Sequence, residues 1–140
     1  MDGVLVHEGH ALPGAAEVLK QWKEEGLRFL VLTNNSMYTP RDLSARLKAT
    51  GLDIPSSAIW TSALATADFI ASQKPKGSAY VLGEAGMTTA MHEIGYVMTD
   101  VNPDYVVLGE TRNFNFDSLT KAIRLINNGA RFIATNPDAT

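Results

Sequence analysis

A chain of 140 residues, 45% hydrophobic and 19% charged, has the apolar content of an ordinary folded soluble chain and too much of it for a disordered one. Its formal net charge of −3 offers no basic field to nucleic acid or an anionic membrane, and its zero cysteines exclude disulfides, thiolate catalysis and cysteine zinc sites. The lack of cysteine agrees with a cytoplasmic setting; the start carries no basic region followed by an apolar run, a presequence ahead of Met1 being left open, and no apolar run is long enough to span a bilayer.

The chain opens on Asp2-Gly3, a pair that ordinarily closes an element. Ala15, Val18, Leu19 and Trp22 then recur at helical spacing between Pro13 and Gly26. The run RFLVL reads as a buried strand. Thr39 and Pro40 stand as N-cap and first residue of a second helix, with Leu43 and Leu47 inward and Gly51 as its stop. A short strand, AIW, leads to a third helix marked by Ala63, Ala67 and Ile70. SQKPKGS is the most linker-like stretch, though it also reads as a loop, and AYVL after it is a strand. Met87, Met91 and Ile94 define a short helix ending at Gly95, and DYVVL is the next strand. Leu119, Ala122, Ile123 and Ile126 form a further stripe ending at Gly129, and RFIA is the last strand. Continuous apolar strands alternating with amphipathic helices predict an α/β fold with a parallel sheet covered on both faces.

In open parallel sheets ligands bind beyond the carboxyl ends of the strands. The residues there are polar: Thr33, Asn34, Asn35 and Ser36 after FLVL, Thr61 and Ser62 after AIW, Gly83 and Glu84 after YVL, Thr135, Asn136 and Asp138 after RFIA. By the same logic Asp2 and Gly3 stand at the tip of a strand that would precede Met1. On spacing alone, Thr33, Asn34 and Asn35 read as helix caps before they read as phosphate ligands. His7 and His10 in HEGH lie i, i+3 around a glycine, the mark of a hairpin tip and not of a helical zinc motif. Gly83 and Gly86 in LGEAG lack the third glycine of a dinucleotide loop. His92 falls on a helix away from the strand ends, Met87 and Met91 are core positions, and Asn136 to Asp138 can be a plain turn or a substrate contact.

MDGVL resembles the end of the first motif of the haloacid dehalogenase superfamily, Asp-x-Asp-Gly-(Val/Thr), with Met1 at x, and VLTNNS resembles the second motif. LTNNS, TSALATADF, YVLGE, NPDYVVLGETR and NGARFIATNPD are similar to the NagD-like, class IIA branch of phosphatases, so that the resemblance spans essentially the whole chain. It implies a Rossmann-like core with a parallel sheet, residues 1–83, and an inserted α/β cap of C2 type beginning near Glu84, with 84–140 its first part. Both would be incomplete: the nucleophilic aspartate and its strand would precede Met1, and the family's lysine and later acidic metal ligands would follow Thr140.

The activity so implied is Mg²⁺-dependent hydrolysis of a small phosphorylated metabolite, such as a nucleoside monophosphate or sugar phosphate, through an aspartyl phosphate. Asp2 would protonate the leaving oxygen and then deprotonate the attacking water, while its backbone carbonyl contributes to the Mg²⁺ site. Thr33 would donate its hydroxyl, and Asn34 its backbone N–H, to phosphoryl oxygens; Asn35 completes the phosphate-binding segment. Asn136, Asp138 and Arg112 would meet substrate from the cap. No nucleic acid or membrane partner is implied, and a homo-oligomer built through the cap is compatible with the resemblance. The rival reading is a non-catalytic phosphate- or nucleotide-binding α/β module; a dinucleotide-dependent oxidoreductase is a distant third.

Overall fold

Between Val6 and Ala11 the chain doubles back over Glu8 and Gly9, whose φ angles of 48° and 79° give the left-handed pair that a two-residue hairpin turn requires. The resulting hairpin pairs β1 (Val6–His7) with β2 (His10–Ala11) and sets His7 opposite His10, both exposed, as expected for HEGH. In the computed structural model, which describes residues 1–136, this hairpin belongs to the first of two compact units, Met1–Thr33 with Pro40–Thr61. The second unit comprises Asn34–Thr39 and the chain from Ser62 onward.

The first unit holds α1 (Ala15–Glu24), β3 (Val31–Thr33), α2 (Pro40–Ala49) and β4 (Ile59–Thr61). Pro40 opens α2 as expected, and Leu43 and Leu47 are buried with Leu52 and Ile54. α1 begins at Ala15, after Gly14 and not at Pro13, and only Ala15 and Leu19 of its stripe are buried. β3 and β4 run parallel, with Val31 opposite Ile59, Leu32 opposite Trp60 and Thr33 opposite Thr61. The expectation that RFLVL is buried throughout is corrected. Alternation on a two-stranded sheet buries Val31, Ile59 and Thr61, and leaves Leu32, on the other face, 61% exposed.

The second unit is a four-stranded parallel sheet, ordered β6 (Val97–Met98), β5 (Ser78–Leu82), β7 (Tyr105–Leu108), β8 (Arg131–Ala134). Ala79, Tyr105 and Val107 on one face pack with Ala63, Ala67 and Ile70 of α3 (Ser62–Gln73) and Met87 and Met91 of α4 (Ala85–Glu93). Val106, Tyr80 and Leu82 on the other face meet Ala122 and Leu125 of α5 (Phe116–Asn127). This is the α/β arrangement read from the sequence, with both faces covered. β6 carried no sequence signal because two residues are too few for a period. The α5 stripe is corrected in part: Ala122 is buried and Ile126 packs against its cluster as expected, but Leu125 is buried in place of Leu119 and Ile123, the latter 58% exposed.

SQKPKGS links α3 to β5 within this unit and is therefore a loop. It is held by Asp104, whose carboxylate accepts from Lys74 Nζ and from the Ser78 N–H at 2.8 Å; the Lys74 hydrogen bond and that N–H keep the carboxyl below its usual range. The sheet also runs across the point where a cap was expected to begin. β5 lies before Glu84, yet Leu82 pairs with Leu108, and Leu108 with Ala134. No helix among the described residues is long and apolar enough to cross a membrane.

Candidate functional site

Asp2 and Thr33 both belong to the first unit. The Met1 ammonium donates to the Leu32 carbonyl at 3.0 Å, which lays the start of the chain beside the last residues of β3. Asp2 makes a parallel bridge to Val6, and the Gly3 N–H donates to the Val6 carbonyl at 2.8 Å, so a tight turn anchored on the hairpin holds Asp2 there. Asp2 is exposed, and Thr33, half-buried, ends the strand. An exposed carboxylate and a hydroxyl at the carboxyl end of a parallel strand suit a phosphorylated ligand, the first for proton transfer and the second as a donor to phosphoryl oxygen.

In the second unit, Asn34 is exposed and its carbonyl accepts from Ser62 Oγ at 2.6 Å, at the first residue of α3. Asn35 Oδ1 accepts from the Tyr38 N–H at 3.0 Å, which shapes the turn before α2 and is neither a cap of that helix nor a phosphate contact. Ser36 is 0% exposed, and its Oγ accepts from the Glu110 N–H at 2.7 Å and from Thr135 Oγ1 at 3.4 Å. This one hydroxyl gathers the segment after β3, the residues after β7 and the residues after β8. Arg112, exposed, lies two residues beyond Glu110, and Asn136 directly follows Thr135. The Ser36 bonds thus join the short segments that carry Asn35, Arg112 and Asn136, each within two residues of a bonded group. Asp138 lies outside the described residues.

Spacing could not reveal Ser36, whose partners are 74 and 99 residues away. Its direct succession to Thr33-Asn34-Asn35 was the available signal. Gly83 and Gly86, read as a weak dinucleotide loop, serve close packing. A Cβ on Gly86 would lie 2.6 Å from the carbonyl oxygens of both Ser36 and Tyr38, and the Gly86 N–H donates to the Met37 carbonyl at 2.9 Å. Gly86→Ala is expected to force that segment aside and to lower stability by about 1–3 kcal/mol, the usual range for overpacking. Chemical denaturation of the chain would measure it; an unchanged midpoint would mean that the segment yields freely.

No group of three or more His, Cys, Asp or Glu side chains that could hold a metal occurs among the described residues. Asp2 offers only oxygen donors, and these fit a hard cation such as Mg²⁺, which commonly takes one or two carboxylates together with phosphate and water.

The haloacid dehalogenase-like hydrolase family model matches residues 1–97. The chain is 59% identical over 140 residues to dihydroxyacetone phosphatase of Corynebacterium glutamicum, covering 51% of that protein. It is 49% identical over 138 residues to ribonucleotide monophosphatase NagD of Escherichia coli, covering 55% of it, and superposes on the NagD structure with a TM-score of 0.91 over 99% of this chain and 55% of that one. A glycerol phosphate phosphatase of Mycobacterium tuberculosis, solved in complex with magnesium, matches with a TM-score of 0.91 and 25% identity over 99% of this chain and 42% of that one. The chain therefore spans about half the length of the curated relatives it matches.

Proposed function

This chain belongs to the haloacid dehalogenase-like hydrolase family, and on that premise we propose that a full-length protein containing it is a Mg²⁺-dependent phosphatase of small phosphomonoesters, acting through an aspartyl phosphate. The observation that carries the reading is the placement of Asp2 beside the end of β3, through Met1 and Leu32, with Thr33 as the strand's last residue. The relatives named above are phosphatases, and their names support the same reaction class.

Asp2 is the proton carrier in this proposal. Its carboxyl group gives a proton to the departing oxygen and its carboxylate takes one from the attacking water, so the group ends each turnover as it began. Thr33 Oγ1 and the Asn34 N–H donate to the phosphoryl group, with Asn35 shaping the segment they stand on. Mg²⁺, held in part by Asp2, would neutralise phosphate charge. Residues 84–140, with β5 whose sheet they share, form the first part of a cap; from it Arg112, Asn136 and Asp138 meet the leaving group. The substrate class is nucleoside monophosphates or sugar phosphates, the setting cytoplasmic, and any self-association runs through the cap. The 140-residue chain by itself is inactive.

A phosphate-release screen of the full-length protein with Mg²⁺ against nucleoside monophosphates, sugar phosphates and pyridoxal phosphate tests the reading. Metal-dependent turnover of one class is expected, and none on any of them would refute it. Thr33→Val, which keeps shape and loses the hydroxyl, is expected to cost on the order of 10²-fold in kcat, as oxyanion donors do, while Thr33→Ser stays close to wild type. Equal damage from both would assign Thr33 to packing.

A further inference from the structure

Glu84 opens α4 without capping it: its side chain accepts no hydrogen bond from the helix's own N–H groups. It reaches instead to the residues after β7. One carboxylate oxygen, Oε1, accepts from Thr111 Oγ1 at 2.5 Å and from Asn113 Nδ2 at 2.8 Å, and the Asn113 N–H donates to Thr111 Oγ1 at 3.0 Å. The two residues flanking Arg112 are therefore fastened to a single acceptor. The same loop is fixed upstream, where the Gly109 N–H donates to the Leu82 carbonyl at 2.7 Å and the Glu110 N–H to Ser36 Oγ. Arg112 itself is exposed and makes no ion pair among the described residues. Its backbone lies two residues, at most about 7 Å of extended chain, from a group bonded to the residue that follows Asn35.

We propose that Glu84 is a positioning residue. By holding Thr111 and Asn113 it presents the Arg112 guanidinium at a fixed place and orientation, to a leaving group rich in acceptor oxygens such as the hydroxyls of a sugar phosphate. A guanidinium only donates, and its planar fork selects oxygens whose spacing matches. A flexible loop would lose that selection to side-chain and backbone entropy on every binding event. This inference rests on the phosphatase reading and adds to it the device that orients one substrate contact. Because both bonds go to one oxygen, the device depends on an acceptor at Oε1 and not on the carboxylate charge, so a glutamine can replace it.

The test uses the full-length protein with Mg²⁺ and two esters, ribose 5-phosphate and p-nitrophenyl phosphate, whose leaving groups differ in acceptor oxygens. Arg112→Ala is expected to raise KM for the sugar phosphate about 10-fold more than for the aryl ester, as loss of a hydrogen bond from a charged group does. Glu84→Ala should reproduce most of that selective rise, Glu84→Gln should restore the wild-type ratio, and the Glu84→Ala/Arg112→Ala pair should be no worse than Arg112→Ala alone, since both changes remove the same contact. Asn113→Ala, an exposed position, repeats the experiment should Glu84→Ala fold poorly, and a smaller selective rise is expected from it.

A selective effect of Arg112→Ala with equal losses on both esters, or none, from Glu84→Ala and Asn113→Ala would overturn the positioning role and leave Arg112 as a substrate contact. Glu84→Gln as damaging as Glu84→Ala would overturn it as well, in favour of a role for the charge. If Arg112→Ala is silent on both esters, the contact and the device fall together while phosphatase activity stands. A wild-type protein without turnover on either ester refutes the reaction class itself.

Discussion

In a full-length protein containing this chain, Asp2→Asn is expected to lower kcat by about 10²- to 10⁴-fold, the usual contribution of a general acid-base group, with little change in KM. Asparagine keeps the size of the side chain and the backbone carbonyl proposed to face Mg²⁺. It also leaves the turn through Gly3 and Val6 and the bond from Met1 to Leu32 intact, because none of these uses the carboxylate. What disappears is a group that can both give and take a proton. The loss should depend on the leaving group: a sugar alkoxide needs its proton, whereas p-nitrophenolate departs readily without one. Thus the sugar ester should suffer most of the range and the aryl ester the smaller part. Steady-state kinetics on both esters would check this, and a kcat within about threefold of wild type on the sugar ester would remove Asp2 from the chemistry.

The elements that were legible in the sequence are those whose burial is decided locally. Pro40, Leu43 and Leu47 mark a helix start and an inward stripe whatever lies across from them, and α2 is found there. Ala63, Ala67 and Ile70 behave alike on α3. The Tyr105–Leu108 run is apolar throughout because helices cover both faces of its sheet. Where burial depends on a distant partner, the pattern misled. Leu32 and Ile123 are as apolar as Val31 and Leu125, yet only the latter two have side chains from other elements packed over them.

The site divides in the same way. What was legible is the position of Asp2 near β3 and of Thr33 at its end, because residues at the ends of parallel strands stand where such a fold binds ligands and because both fall in stretches that resemble the family's motifs. The bonds that join the second unit's segments were not. Ser36 to Glu110, Ser36 to Thr135 and Glu84 to Asn113 join residues 74, 99 and 29 positions apart. Nothing in the local spacing of a serine or a glutamate announces such partners. Gly86 shows the reverse case. Its glycine signal was visible in the sequence, but the reason for it, two carbonyl oxygens 2.6 Å from where a Cβ would sit, belongs to the 36–38 segment.

The 140-residue chain, prepared as such and assayed with Mg²⁺ on p-nitrophenyl phosphate, is expected to show no turnover above background. The covalent step of the proposed reaction needs an aspartate two positions ahead of Asp2, and residues 1–140 supply none there. Loss of a nucleophile alone removes roughly 10⁴- to 10⁶-fold of rate. The terminal ammonium is a separate obstacle. Its bond to the Leu32 carbonyl fixes a positive charge one residue from Asp2, where it opposes a cation at that residue's carbonyl. The two obstacles can be told apart. Extending the chain by a neutral segment without an aspartate moves the charge away and should restore nothing, whereas Mg²⁺ titration followed by calorimetry should then detect tighter, though still weak, binding. Activity should need the aspartate on a paired strand beside β3 and also the remainder of the acidic site. Clear metal-dependent turnover by the unextended chain, on the order of 1 per second or more as enzymes show, would mean that Asp2 or another residue of the chain attacks phosphorus directly, and the assignment of Asp2 to proton transfer would have to be given up.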